Sequence, residues 1–255
     1  MNPPFPAITV SVVSHGQGEL AQRFLDDLAR VARPELRHLI VTSNLPEAWQ
    51  PKFDVEGVVV EHLTNAVPLG FGANHNQAFE HCRTPLFLIA NPDIRMPSDP
   101  FDALQVALEP ASIGLVTPSI RSVDGHVEDF ARRLLSLPNL VSRTLGDRRP
   151  VADPDWVAGM FMLVRSAAFT AVGGFDRRFR LYCEDFDLCA RLRLAGFDFI
   201  VVDAASVVHE ARRDSHRSMR HLAWHLQSLL KVWLSATFWR YRSLLRRGTS
   251  SMERR

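Results

Sequence analysis

The segment Tyr182-Cys183-Glu184-Asp185-Phe186-Asp187-Leu188 crowds Glu184, Asp185 and Asp187 into four positions. A carboxylate beside a second acid and an apolar flank has its pKa raised, and such a group can take a proton as a general base. Acids also suit a helix start, where the macrodipole and unpaired N–H groups favour them, so N-capping by Glu184 or Asp185 is the competing reading. A second carboxylate, Asp93, follows the apolar run Leu86–Ala90 in Asn91-Pro92-Asp93. Magnesium is bound through one or two carboxylates plus substrate phosphates, so a lone acid at a strand end can anchor it. Asn-Pro-Asp is equally a good turn sequence. His209 ends the late run Ser206–Val208. A lone histidine is more often a core or surface residue, yet a neutral imidazole could complete a cation site begun by Asp93.

Leu69-Gly70-Phe71-Gly72-Ala73-Asn74-His75-Asn76 sets G-x-G between a predicted strand and a predicted helix. A dinucleotide fingerprint needs a third glycine where His75 stands, a place after the first strand, and an acid further on at a strand end. All three conditions fail.

These groups need a scaffold. Ile8–Ser14 is a β-branched run ending at His15-Gly16, which predicts a buried strand and a turn. Leu20, Phe24, Leu25 and Leu28 recur at helical spacing. Further strands are predicted over Leu39–Thr42, Gly57–Leu63, Leu86–Ala90 and Ile113–Val116, with helices over Gly70–Cys82 and Asp102–Leu108. Val123–Pro154 is polar and proline-broken, a long and partly irregular connection of the kind used as lids. Trp156–Val164 is one strong apolar run. Ser166 is expected to cap a short helix through Val172, closed by Gly173-Gly174. A helix over Asp185–Ala195 stops at Gly196, and Phe199–Val202 and Ser206–Val208 form two late strands. Alternation of strands and helices gives an α/β class with a mostly parallel sheet covered on both faces. Ligands then bind beyond the carboxyl ends of the strands, which selects Ser14-His15, Asn44 and Asn91-Pro92-Asp93.

The 255 residues, 46% of them hydrophobic, suffice for one large core. A net charge of +2 is too mild to argue for nucleic acid. Cys82, Cys183 and Cys189 match no zinc or disulfide spacing and read as free thiols of a reducing compartment. The first residues carry no charged and apolar segments of a signal peptide, and no stretch reaches the apolar length of a membrane span. From Asp214 a long amphipathic helix is predicted, with Leu222, Leu226, Leu229, Leu230, Trp233 and Leu234 at helical spacing among arginines. That pattern suits a helix lying in a membrane surface, and it suits a helix packed on the rest of the chain or on a second subunit.

Singly these signals are weak; in order they form a pattern. The chain resembles family 2 glycosyltransferases, in particular the bacterial rhamnosyltransferase-like branch, from Ile8 to about Ser215. The matching segments are LTNAVPLGFGANHNQAF, LFLIANPDI, the long block from Trp156 to Phe197, and VVHEARRDS. The resemblance implies a GT-A fold, with a Rossmann-like, mostly parallel central sheet flanked by helices and a C-terminal amphipathic helical extension. It implies a catalytic domain over 1–213, with a nucleotide-sugar half over about 1–120 and an acceptor half over about 121–213, and a helical, basic extension over 214–255. Asp93 and His209 would hold a divalent metal, Mg²⁺ or Mn²⁺, on the donor diphosphate. Asp185 would be the catalytic base, with Glu184 as partner or alternative. Ser14, His15, Asn44 and Asn65 would lie around nucleobase and ribose, with Gly70, Phe71, Asn74 and Asn91 completing the donor site. Trp156 and Gly159 would line the acceptor site.

The implied reaction is inverting transfer of a sugar, rhamnose from dTDP-rhamnose first among the choices, to a hydroxyl of a surface polysaccharide or lipid-linked glycan. The alternatives are galactosyl, glucosyl or other hexosyl transfer from a UDP-sugar, and a non-catalytic nucleotide-sugar-binding module. A nucleotidyltransferase would want a basic glycine-rich loop at the first strand, and Ser14-His15-Gly16-Gln17-Gly18 has no Lys or Arg. Expected partners are the nucleotide sugar, the glycan acceptor and an anionic membrane surface met by the C-terminal helix, with a homo-oligomer as a further expectation and no nucleic acid. The expected location is the cytoplasm, peripheral on the inner membrane's cytoplasmic face. One departure stands out: the family usually places an acidic pair after the second strand, where this chain has Thr42-Ser43-Asn44-Leu45-Pro46. The nucleobase identity is left open by it.

Overall fold

The computed structural model describes residues 5–146, 151–210 and 219–252. Strand β1 (Ile8–Ser14) lies inside an eight-stranded sheet. Around it are β2 (Leu36–Ser43), β3 (Val59–Thr64), β4 (Leu86–Ala90), β5 (Ile94–Arg95), β6 (Ile113–Ser122), β9 (Phe161–Arg165) and β10 (Asp198–His209). The order is β3-β2-β1-β4-β9-β6-β10-β5. β1 pairs in parallel with β2 and β4, β2 with β3, and β6 with β10. β9 runs antiparallel to both neighbours, β4 and β6, and β5 runs antiparallel to β10. The sheet is thus mostly parallel, as the alternating pattern predicts.

Helices cover it: α1 (Gly18–Arg30), α2 (Phe71–Glu80), α3 (Phe101–Ala107), α5 (Ser166–Ala171) and α6 (Glu184–Leu194). α1 turns Leu20, Ala21, Phe24, Leu25 and Leu28 to the core, and each such large side chain contributes about 1.5–3 kcal/mol by leaving water. β1 and β4 are buried nearly throughout, which is why β4 reads as an unbroken apolar run and β1 as a β-branched one relieved only by small hydroxyl residues.

Four expectations are corrected. The run Trp156–Val164 is not one strand: β8 (Trp156–Val157) pairs with β7 (Ala131–Arg132) in a separate two-stranded ribbon, and Ala158-Gly159-Met160 turns the chain into β9. The two late strands are one, β10, whose register shifts between Val202 and Ser206 where Asp203 and Ala204 face solvent. Ser166 does not cap α5; Arg165 holds that place, and Ser166 Oγ donates to the Thr84 carbonyl (2.7 Å). The C-terminal helix is two, α7 (Met219–Trp233) and α8 (Ala236–Met252), because Ser235 Oγ accepts the Phe238 N–H (3.1 Å) and starts a new helix. The predicted start at Asp214 lies outside the described residues. The long connection, expected to be partly irregular, carries one helix, α4 (Leu137–Thr144). Among the described residues no helix is long and apolar enough to cross a membrane.

Candidate active site

The carboxyl ends of β1, β2 and β4 open on a cavity of about 560 Å³, within the range of small-ligand sites. His15, Asn44, Phe71, Asn74, Asn91 and Asp93 line it. Ser14 does not: it is fully buried, and its Oγ accepts the Gln17 N–H (3.0 Å), so it shapes the turn below the cavity. Asn65 is also set back. Its Nδ2 donates to Asn44 Oδ1 (2.9 Å) and to Asn74 Oδ1 (2.6 Å). Asn44 Oδ1 takes the Leu69 N–H (2.8 Å), and Asn74 Nδ2 donates to the Gly70 carbonyl (2.9 Å). Three amides thus brace the loop that carries Phe71. Gly70 is required there by contact, since a Cβ would sit 2.4 Å from the Arg180 carbonyl oxygen.

Where the family usually has an acid after β2, Asn44 Nδ2 instead donates to His15 Nδ1 (2.9 Å). Burial and then Arg180 lower the pKa of His15, against a smaller opposing pull from Glu47. Glu47 is the acid at this end of the sheet, and it accepts the Gly18 N–H (3.0 Å).

β5 pairs with the end of β10, setting His209 opposite Ile94, and this pairing delivers His209 to Asp93. Nε2 of His209 lies 3.3 Å from Asp93 Oδ2, and its Nδ1 lies 2.8 Å from Glu128 Oε2. Burial lowers the His209 pKa, but the two carboxylates outweigh it and raise the value to about 9. Asp93 Oδ1 is buried with no hydrogen-bond partner. Glu128 fixes one ring nitrogen and leaves the other beside Asp93, the arrangement in which a carboxylate orients a ligating histidine. A cation would displace the imidazolium proton. Among the described residues no group of three His, Cys, Asp or Glu side chains converges as a metal-holding set. Two protein ligands completed by phosphate oxygens and water is nonetheless the magnesium pattern, and the unpaired Oδ1 is the atom that would serve it.

The acids of α6 are not among the residues lining the cavity. Tyr182 and Cys183 both take left-handed φ, +72° and +66°, uncommon for non-glycine residues and costly unless the surroundings impose them. Glu184 is 5% exposed, and its Oε2 has no partner. Asp185 is partly open; its Oδ1 accepts the Phe186 N–H (2.8 Å) and its Oδ2 the Gly159 N–H (3.2 Å). Burial raises the Asp185 pKa, while Arg132 and the two N–H groups pull it back. Gly159 sits between: a Cβ there would lie 3.2 Å from the Phe71 ring and 3.6 Å from Asp185 Cβ. Trp156 is buried, donates its indole N–H to the Arg133 carbonyl (2.8 Å), and lies under the Arg132 guanidinium at 4.8 Å. Its ring is therefore core, with Arg132 above it.

Burial, then Asp185, push the Glu184 carboxyl from its usual 4.5 to about 8. Between those values the folded protein keeps a proton that the unfolded chain has released. Stability is therefore lost as pH rises from 4.5 and levels off above about 8. Glu184→Gln removes that slope. The variant is expected to gain on the parent by a few kcal/mol, roughly, by pH 9. Denaturant melts at pH 5 and pH 9 measure it, and parallel curves for both proteins would show that Glu184 is not held neutral.

Several residues here carried no signal in the sequence. Arg180 lines the cavity, lies 5.2 Å over the Trp224 ring, and its carbonyl accepts the Phe71 N–H (3.1 Å). His221 of α7 shares a 2.9 Å hydrogen bond with the Tyr182 hydroxyl and, with Trp224, lines the cavity. Glu128 and Arg132 come from the connection read as irregular. Arg180 fell inside the long matching block without being singled out, and His75 stood in a quoted motif as a broken fingerprint. It is fully buried against Phe71, 2.9 Å from Ser11 Oγ, with burial lowering its pKa to about 3.

A family profile described as "Glycosyltransferase like family 2" matches residues 4–225. The rhamnosyltransferase WbbL of Escherichia coli is 28% identical over 244 residues, covering 88% of this chain and 91% of that protein. The N-acetylglucosaminyl-diphospho-decaprenol L-rhamnosyltransferase of Mycobacterium tuberculosis is 30% identical over 261 residues, covering 87% of this chain and 82% of that one. Among solved structures, GalNAc-T7 with UDP, GalNAc and Mn²⁺ aligns with a TM-score of 0.63 at 12% identity over 82% of this chain. The chain spans 44% of GalNAc-T7. The mannosyltransferase PcManGT of Pyrobaculum calidifontis, in complex with GDP-Man and Mn²⁺, aligns with a TM-score of 0.59 at 14% identity, over 90% of this chain and 68% of that one. At these identities the two structures speak for the shared fold.

Proposed function

The chain belongs to glycosyltransferase family 2, and on that premise we propose that it transfers rhamnose from dTDP-rhamnose, with inversion, to a hydroxyl of a surface polysaccharide or lipid-linked glycan. The observation that carries the reading is the division of labour around Phe71. Phe71 lines a cavity that also holds Asp93, and across Gly159 its ring neighbours Asp185, held by two backbone N–H groups. The rhamnosyl choice rests on what the two curated relatives are named for.

In this reading His15 faces the nucleoside, Asn44, Asn65 and Asn74 brace the loop beside it, and Arg180 faces the phosphates. Asp93 and His209 would hold Mg²⁺ or Mn²⁺, which when bound supplies Lewis-acid stabilisation of charge developing on the diphosphate. Asp185 takes the proton of the acceptor hydroxyl. The acceptor oxygen bonds to the anomeric carbon as the bond to the phosphate oxygen breaks, and a single displacement inverts that centre. Two hydrogen bonds favour the charged form of Asp185, while buried Glu184 keeps its proton near neutral pH. One anion of the pair, not both, then faces the acceptor.

The proposed organisation is a catalytic domain over 1–213 and a helical extension over 214–255, in a protein of the cytoplasm working at the membrane's inner face. The test is thermal stability with a panel of nucleotide sugars, with and without Mg²⁺ or Mn²⁺. A donor at a hundredfold excess over its Kd stabilises by about 2.7 kcal/mol. A metal-dependent shift with dTDP-rhamnose alone is expected. A shift with UDP-sugars instead would replace the donor, and no shift with any would reduce the chain to a module lacking donor chemistry.

A further inference from the structure

The C-terminal helices close the core on one side and leave a second side bare. Tyr241 is fully buried, and its hydroxyl donates to the Asp155 carbonyl (2.6 Å). Phe238 packs on Phe186, and Ser228 Oγ donates to the Leu181 carbonyl (2.9 Å). The inner side of α7 is thus spoken for. Its outer side is a stripe of leucines at a spacing of four: Leu222, Leu226 and Leu230 are 53%, 59% and 55% exposed, and Leu234 beyond the helix end is 77% exposed. α4 repeats the pattern, with Leu137, Val141 and Leu145 at 64%, 55% and 83%. The end of α7 is tied to the segment leading into α4, where Trp233 Nε1 donates to the Leu135 carbonyl (2.7 Å).

Charge names the partner. Residues 219–252 contain no Asp or Glu. α8 adds exposed Trp239 and Leu244 and exposed Arg240, Arg246 and Arg247. Apolar stripes flanked by arginines and free of acids suit an anionic interface with an oily layer beneath it. A protein partner of ordinary mixed charge has no use for so one-signed a border.

We propose that the outer faces of α4 and α7, with the arginines of α8, form one surface that docks on an anionic lipid bilayer. Docking there brings the first turns of α7, which lay His221 and Trp224 over the cavity, to the lipid interface. A lipid-linked acceptor would then meet the site without leaving the membrane plane, a benefit that rests on the transfer reading. The docking itself does not, and vesicle binding without any donor measures it separately.

Truncation is unsuitable, because Phe238 and Tyr241 belong to the core. The full chain is sedimented with phosphatidylcholine vesicles and with phosphatidylcholine–phosphatidylglycerol vesicles, at low and high salt. Binding is expected on the anionic vesicles and is expected to weaken with salt. The exposed pairs Leu226→Gln/Leu230→Gln and Val141→Gln/Leu145→Gln should each weaken it by roughly tenfold or more. Both doubles should melt with the parent. Undiminished binding in one double would remove that helix from the surface. No binding by the parent, or undiminished binding in both, would overturn the proposal. So would a dimer, seen by size-exclusion chromatography, that both doubles dissociate while vesicles pellet nothing.

Discussion

Asp185→Asn is expected to leave the nucleotide sugar bound and to lower turnover by roughly 10²–10⁴, the range a positioned base supplies. Donor binding should survive because Asp185 is not among the residues that line the cavity; it approaches the lining ring of Phe71 only across Gly159. The substitution keeps the shape of the side chain, but it keeps only one acceptor for the N–H groups of Phe186 and Gly159. Displacing one of them costs about 1–3 kcal/mol of stability, so a lower Tm is expected alongside. Stability loss alone does not produce the predicted split, in which the donor-induced thermal shift is kept while turnover collapses. Glu184 cannot substitute as base: it is 5% exposed, and burial keeps its carboxyl protonated near neutral pH. A variant that turns over normally would remove Asp185 from the mechanism.

The scaffold was legible where local pattern and tertiary role coincide. Ile8–Ser14 reads as a strand from end to end because a strand buried on both faces favours β-branched residues, here Ile8, Thr9, Val10, Val12 and Val13, with only small Ser11 and Ser14 between and after them. It was illegible where a tertiary contact cuts across such a run. Trp156–Val164 is uniformly apolar, yet the chain turns at Gly159, because the backbone there must approach both Phe71 and Asp185. No periodicity reports a contact with α2 and α6. Ser235 divided the tail in the same way: a lone serine among leucines is a weak stop signal until its hydroxyl is seen on Phe238 N.

The candidate site divides likewise. Asp93, Glu184, Asp185 and His209 could be named because strand ends and acid clusters show in sequence. The partners that set their chemistry could not. Glu128 reaches His209 and Arg132 faces Asp185 from a connection without pattern, and His221 comes from α7. Asn44, Asn65 and Asn74 were expected as contacts to the donor. The structure joins them to one another first, and Asn65 shares its amide with both others. An amide pair buried this way fixes a loop; whether it also reads a nucleobase depends on the groups left facing the cavity. Asn44 gives both its side-chain atoms to His15, Leu69 and Asn65, which leaves His15 and the backbone to meet the base.

Asp93→Asn is the second large effect expected. The comparison must be of ligand-induced shifts, not of absolute stabilities, because Asp93 also pairs with His209 at 3.3 Å and removing its charge perturbs the unliganded protein. In the parent, donor with metal should stabilise by about 2.7 kcal/mol at a hundredfold excess over its Kd, and donor alone by less. In Asp93→Asn the metal-dependent part should vanish, because the buried Oδ1 loses its charge while the site keeps its shape. Turnover should fall on the order of a hundredfold or more, since losing even an outer partner of a metal ligand costs 10–100-fold in metal affinity. Glu128→Gln gives the internal comparison: it lies one contact further out, 2.8 Å from His209 Nδ1, and should lose the smaller amount. Equal losses in the two variants would mean that both act through His209 alone. A metal-dependent shift surviving intact in Asp93→Asn would move the cation site elsewhere, and with it the role given to the end of β4.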